Sequence, residues 1–356
     1  MIAADRAVQR PTYAKLLVVD AHRRIGHVPR SALATFLRSK DLVIANDAAT
    51  LPASLHGVHS DTDTLIEVRL AGRPSLRPED VGRFSAVVFG QGDFLMRTED
   101  RPLPPPLAVG DRLSLGPLRA TIERLLDYPR FVSLIFDGTP DQIWAGLAHH
   151  GRPIQYAHIK TPLELWDVWT RIAGPPVAFE SPSAGFALDW HVLATLRERG
   201  TEFATITHAA GISSTGDDAL DHLLPFDEPY RIPEATAGAI RLAKARGGRV
   251  IAVGTSGVRA LESAAIGDGH VRAGEGLARQ RLGPTSRLRV VDAILSGTHE
   301  PGTSHYELLR AFLDDATLLR TSAEMDEGGY RTHEFGDSVF IEHVQLQDRL
   351  TSKASE

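Results

Sequence analysis

His299, Glu300, His333, Glu334 and Asp337 are the residues of this chain best suited to moving protons. An imidazole changes charge near neutral pH, and a carboxyl beside it can serve as acid or base once its surroundings tune it. Two of the groups sit in SGTHEPGTS and the other three in YRTHEFGDSVFI, so each run carries a His-Glu pair. Metal binding is the competing chemistry, because His299, His305, His333 and Glu334 fall in the same part of the chain. Their spacing fits no compact metal motif, and no metal is expected. Asp337 has a plainer alternative, that it caps or ends a strand.

A second set of candidates lies in GGRVIAVGTSGVRALES, residues 247–263. This run reads as a buried strand over residues 250–253, a Gly-Thr-Ser-Gly turn over residues 254–257, and a helix starting near Val258. The turn leaves backbone N–H groups free to hold a carboxylate, phosphate or ribose oxygen, though many such turns hold nothing. Arg259 and Glu262 stand three residues apart on that helix, close enough for a mutual ion pair or for two ligand contacts. An arginine fork suits a carboxylate, which favours Arg259 as the ligand group. Asn46 and Asp47 follow an apolar strand and either bind a polar ligand edge or form a turn with their own backbone.

These residues need a scaffold. Residues 15–20 and 41–45 read as strands, with a helix over 31–38 between them. From about residue 59 to 135, short alternating runs punctuated by Gly and Pro predict an all-β module. The prolines of RPLPPPLAVGDRL exclude a central strand there and predict a rigid extended loop. Helical signals return at Thr139, with Pro140 and Asp141 in the first turn. Thr161 and Pro162 repeat that pattern and open a helix carrying Trp166 and Trp169. Their spacing predicts a shared face packed into the core, with a stacking wall for a base as the alternative. Residues 190–199 and 234–245 are further amphipathic helices. Helices alternating with strands predict an α/β fold, a mixed or mainly parallel sheet with flanking helices, plus an inserted all-β barrel-like domain.

Composition sets outer limits. The 356 residues allow two or three domains, and 42% apolar with 24% charged residues is ordinary for a globular protein. With no cysteine, there is no disulfide framework and no thiolate metal site. The first thirty residues lack a signal-peptide core, and no apolar run approaches the roughly 20 residues that span a bilayer. A cytoplasmic protein without membrane contact is expected, as a monomer or small homo-oligomer. A net charge of −6 argues against nucleic-acid binding as the sole business of the surface. Arg272, Arg279, Arg281, Arg287 and Arg289 form either a solvated loop or a local contact to an RNA backbone.

Three of these segments, taken in order, resemble the S-adenosylmethionine:tRNA ribosyltransferase-isomerase family of queuosine biosynthesis. GTSGVRALES is similar to the family's GTTSVRTLES, THEPGTS to its FHLPKS loop, and FGDSVFI to its YGDAMLI strand. LVIANDAATLPASLHG is similar to LVVNDTRVIPARLFG, and SPSAG to APTAG. The resemblance implies a discontinuous α/β donor-binding domain, residues 1–57 and 139–345, with a β-barrel inserted at 58–138 and a tail at 346–356. It implies that S-adenosylmethionine serves as substrate, its ribosyl part moving to 7-aminomethyl-7-deazaguanine in tRNA with release of adenine and methionine. It places His299, Asp337 and His333 in catalysis. Asn46, Asp47, Tyr156, Ser183, Gly185, Gly254, Thr255, Arg259, Glu262 and Glu300 become substrate-binding candidates.

The chain also departs from the family pattern. The histidine of the family's GLHFT is Ala187, and alignment on Gly211 leaves His208 one residue out of register with the family's next histidine. The lysine of HLPKS is Gly302. These changes keep two alternatives open: an S-adenosylmethionine-consuming transferase or lyase acting on a small molecule, and a binding module that no longer catalyses.

Overall fold

A computed structural model describes residues 1–128 and 130–343, so the tail expected at 346–356 lies outside the described residues. Its backbone is a nine-stranded mixed sheet, and a closed six-stranded barrel is formed by a continuous stretch of chain. At the centre of the sheet, Leu42–Asn46 runs parallel to Glu202–His208 on one side and to Val250–Val253 on the other. Val250–Val253 continues the parallel order into Ala293–Gly297. All five residues of Leu42–Asn46 are buried. A strand covered on both faces reads as a continuous apolar run, which is why Leu42–Ala45 shows no alternation and the polar residue, Asn46, comes only at its end.

The outer strands change direction. Ser338–Glu342 is antiparallel to Ala293–Gly297 and parallel to Lys15–Val19, which turns back on Ile25–Pro29. At the far edge, Glu228–Ile232 and Gly274–Ala278 are both added antiparallel. Helices Glu234–Ala245 and Thr255–Ser263 help bury one apolar layer, with Ile240, Val258 and Leu261 fully enclosed. Trp190–Glu198 contributes Val192 and Leu196 to the layer on the other face.

The barrel strands are Ser54–His59, Thr64–Gly72, Arg83–Phe89, Arg112–Leu115, Leu118–Leu125 and Phe131–Phe136. Gly57 is required where two of them cross closely, since a Cβ there would lie 2.0 Å from the Ser114 carbonyl oxygen. The barrel interior is apolar, and a buried charged cluster lies on its outer face, because Ile66, Val68 and Leu70 point inward and the alternating Glu67 and Arg69 point outward. Glu67 accepts from Arg69 Nε at 2.8 Å and pairs with Arg101, all of them buried, and the guanidiniums of Arg69, Arg101 and Arg130 surround the Phe89 ring.

Two local expectations change. The segment 31–38 is a 3-10 helix, Arg30–Phe36, rather than an α-helix. The helix expected after Pro162 is a single turn, Leu165–Val168, and Trp169 is already extended. Leu163 and Val168 supply the buried side chains there. Trp166 is 69% exposed, and the half-exposed Trp169 gives its indole N–H to the Thr50 carbonyl at 3.0 Å. One turn is too short to carry an apolar stripe, so the tryptophan spacing does not build core. Among the described residues no helix is long and apolar enough to cross a membrane.

Candidate active site

The carboxyl ends of Glu202–His208 and Ala293–Gly297 open into loops that meet a barrel loop at residues 95–99. Together they line an open cavity of about 710 Å³. The far wall comes from residues 332–334, which lead into Ser338–Glu342, and from residues 156–160 and 180–183. Ligands of open α/β sheets collect at such strand ends, because the loops there are free to carry function.

His299 stands two residues after Ala293–Gly297. Its Nε2 is 3.0 Å from Ser296 Oγ, and its ring stacks on His305 with centroids 4.7 Å apart. Burial holds both imidazoles below their usual range, and the neighbouring histidines depress His299 further. A neutral imidazole is the form that accepts a proton. Across the cavity, His333 stacks on His158 at 4.3 Å, and His158 Nε2 lies 3.0 Å from Glu334 Oε2. Burial lowers His333 as well. His333 has φ of 67°, an uncommon backbone region for a residue with a Cβ, and such positions cluster at functional sites. Glu300 accepts from Thr332 Oγ1 at 3.3 Å and is tied to the same wall.

His158, His333 and Glu334 bring potential ligand atoms within 4.8 Å of one another. The two imidazole planes are only 19° from parallel, so their in-plane lone pairs do not converge on one ion. The His158–Glu334 hydrogen bond accounts for the contact without a metal.

Glu180 and His158 are the residues the sequence did not single out. Glu180 immediately precedes SPSAG, and His158 follows Tyr156 by two positions, so nearness to a motif was the available signal. Glu180 Oε1 accepts from the Tyr156 hydroxyl and from Ser213 N–H, the latter at 2.9 Å. Burial, reinforced by the charge of Glu334, pushes its carboxyl up to about 7 despite those hydrogen bonds. Tyr156 is shifted well upward by burial and by the facing Glu180. Burial alone would raise Glu334, but its bond to His158 leaves it below the usual range.

The other sequence candidates divide. His299, Glu300, His333, Tyr156 and Ser183 line this cavity. Thr255 and Arg259 line an adjoining one of about 260 Å³, which shares His305 with the first. Arg259 forms neither the pair with Glu262 nor a free fork. It pairs with Glu228 and donates to the carbonyls of Phe226 and Ala278 at 3.0 and 2.9 Å. Glu262 instead accepts from the N–H groups of Arg289, Val290 and Val291, holding that loop against the helix.

Asp337 does not reach the cavity, because both oxygens are engaged by backbone, Lys15 N–H at 2.6 Å and Arg331 N–H at 2.9 Å. Asn46 ties its strand to His208 through both its amide oxygen and nitrogen, and Asp47 accepts from Thr207. Gly185 packs on Thr170, where a Cβ would meet Cγ2 at 3.0 Å. Gly254, with φ of 85°, makes the turn into the helix and donates its N–H to Leu295. The arginine-rich loop is locally paired, Arg279 with Asp227, Arg287 with Asp268, and Arg281 with the carbonyls of His222 and Leu223.

Comparison with known proteins agrees with this layout. A family profile described as queuosine biosynthesis protein matches residues 1–341. An S-adenosylmethionine:tRNA ribosyltransferase-isomerase of Sorangium cellulosum is 34% identical, over 96% of each chain. One from Citrifermentans bemidjiense is 31% identical over 96% of each, and one from Gloeobacter violaceus 32% over 95% of this chain and 92% of its own. The crystal structure of the S-adenosylmethionine tRNA ribosyltransferase of Thermotoga maritima has a similar fold, with a TM-score of 0.50, 20% identity and 96% of each chain covered. With the profile matched over residues 1–341 and relatives above 30% identity covering nearly the whole chain, the chain belongs to the queuosine biosynthesis family that includes these ribosyltransferase-isomerases.

Proposed function

We propose that the chain is an S-adenosylmethionine-dependent ribosyltransferase-isomerase that modifies 7-aminomethyl-7-deazaguanine in tRNA and releases adenine and methionine. The observation that carries this reading is the half-buried His299–His305 stack, facing carboxyls across a cavity at the strand ends. The reaction needs a base for the acidic proton beside the sulfonium, and an imidazole kept neutral by burial meets that need. It also needs an acid near the departing adenine, and a site that sheds water around reactive intermediates. His299 is the base in this reading. His333 and Glu300 act on the opposite wall, and Ser183 and Tyr156 bind.

A second reading has a small molecule as acceptor. The local pairing of the arginine loop and the acidic side chains Glu99, Glu300 and Glu334 around the cavity favour it. Incubation with S-adenosylmethionine, with and without tRNA bearing the aminomethyl base, separates the two by mass spectrometry. Adenine and methionine formed only with that tRNA, with a matching mass gain on the base, support the first. Donor consumption without tRNA supports the second, and no consumption under either condition refutes both.

A further inference from the structure

Glu180 is held from both sides. Phe179 before it is buried in the barrel core, edge-on to Phe84, and donates its N–H to Ala210. Ser181 after it donates its hydroxyl to the Val168 carbonyl at 2.7 Å. Between these anchors, Oε1 is occupied by Tyr156 and Ser213, whereas Oε2 has no hydrogen-bond partner among the described residues. A carboxyl fixed through one oxygen and open at the other, in a cavity wall, is built to receive a cationic N–H donor.

From this geometry we infer that Glu180 is the acceptor-recognition residue, its Oε2 receiving the primary ammonium of the aminomethyl group and taking a proton from it. The assignment rests on the proposed acceptor. In the step, one N–H bond breaks and its electron pair stays on nitrogen as the nucleophile. The proton forms the O–H bond of the Glu180 carboxyl. An ammonium cannot attack the donor, so some group must remove this proton, and a carboxyl poised near neutrality does so more readily than an ordinary glutamate. The titratable groups facing Glu180 are Tyr156 and Glu334. His158 bridges them through its contacts to each, and Arg69 lies over the Tyr156 ring, 5.6 Å from its centroid.

The test is calorimetric binding of free 7-aminomethyl-7-deazaguanine and of its 7-methyl counterpart, which lacks the amine, to the full chain. A charge-assisted hydrogen bond predicts that the wild type favours the amine by about 10-fold or more at about pH 8. Glu180→Gln keeps an acceptor for Tyr156 and Ser213, and should bring that preference to within about twofold while both bases still bind. Glu180→Asp keeps the charge and should retain part of the preference. Equal preference in wild type and Glu180→Gln overturns this inference and leaves the acceptor reading intact. Equal affinity of the wild type for the two bases overturns the inference as well, while the acceptor reading itself stands or falls on the tRNA incubation.

Discussion

His299 and Glu180 are displaced in opposite senses by the same enclosure, and each leaves its own trace in the pH dependence. Unfolded histidine takes up a proton near 6.5 that the buried His299 resists, so its contribution to stability is lost as pH falls below that value. Glu180 behaves in the reverse way. Folded, it keeps its proton up to about 7, whereas the unfolded chain releases it near 4.5, so stability falls as pH rises through that window. Thermal melts of Glu180→Gln should therefore exceed wild type at pH about 8 and converge with it at pH about 4. A constant offset at both pH values contradicts this. Replacing His299 by Gln removes the proposed base and should lower kcat by about 10²–10⁴, with the donor KM within a few-fold. Unaltered kcat in single-turnover assays removes His299 from the chemistry. His299 was legible because its motif survives in THEPGTS. Glu180 was not, since a lone glutamate before a small-residue run has no spacing signature and gains meaning only when Tyr156 and Ser213 fold against it.

At the scale of elements, two carboxylates among the site candidates, Asp337 expected in catalysis and Glu262 in substrate binding, tie backbone segments together. Asp337 joins the N-terminal strand Lys15–Val19 to the segment at Arg331, and Glu262 gathers three successive backbone N–H groups. Removing such an acceptor strands buried donors, so Asp337→Ala should cost about 2–4 kcal/mol in denaturant unfolding while the donor KM stays near wild type. An activity loss at full stability would return Asp337 to the site. Helices with explicit caps read correctly from sequence. Thr139 receives Gln142 N–H, Gln142 answers in kind, and the helix is Pro140–His150 as its cap predicts. The same grammar misled at Pro162, where Glu164 rather than Thr161 caps the turn and the helix ends within four residues. Cap residues mark where a helix can start, while tertiary packing decides whether it continues.

Across the whole molecule, the barrel's outer face and the cavity rim are coupled through charge. The barrel's Glu67–Arg69 pair reaches Thr98 through Arg69 Nη1 at 3.4 Å, and Thr98 lines the cavity. Substituting Glu67 by Gln leaves buried guanidiniums without their counter-charge. The expected loss is about 3–5 kcal/mol, accompanied by weaker donor binding from a displaced cavity rim. Destabilisation with unchanged donor affinity would show that this charged cluster and the cavity are independent. The arrangement of layers was readable from alternating runs and Gly-Pro punctuation. The buried charges on the barrel's outer face were not, because Glu67, Arg69 and Arg101 look like surface residues until the loops around Thr98 and Tyr156 pack over them.

The parallel pairing of Lys15–Val19 with Ser338–Glu342 bears on how the chain is made. A ribosome delivers the first of these strands more than three hundred residues before the second, while every barrel strand emerges within one continuous stretch. The barrel can thus close during synthesis, whereas the early strand waits with one edge open until translation is nearly over. Chains stalled before residue 338 should present that edge to chaperones and proteases, and ribosome-bound intermediates should resist digestion first over residues 54–136.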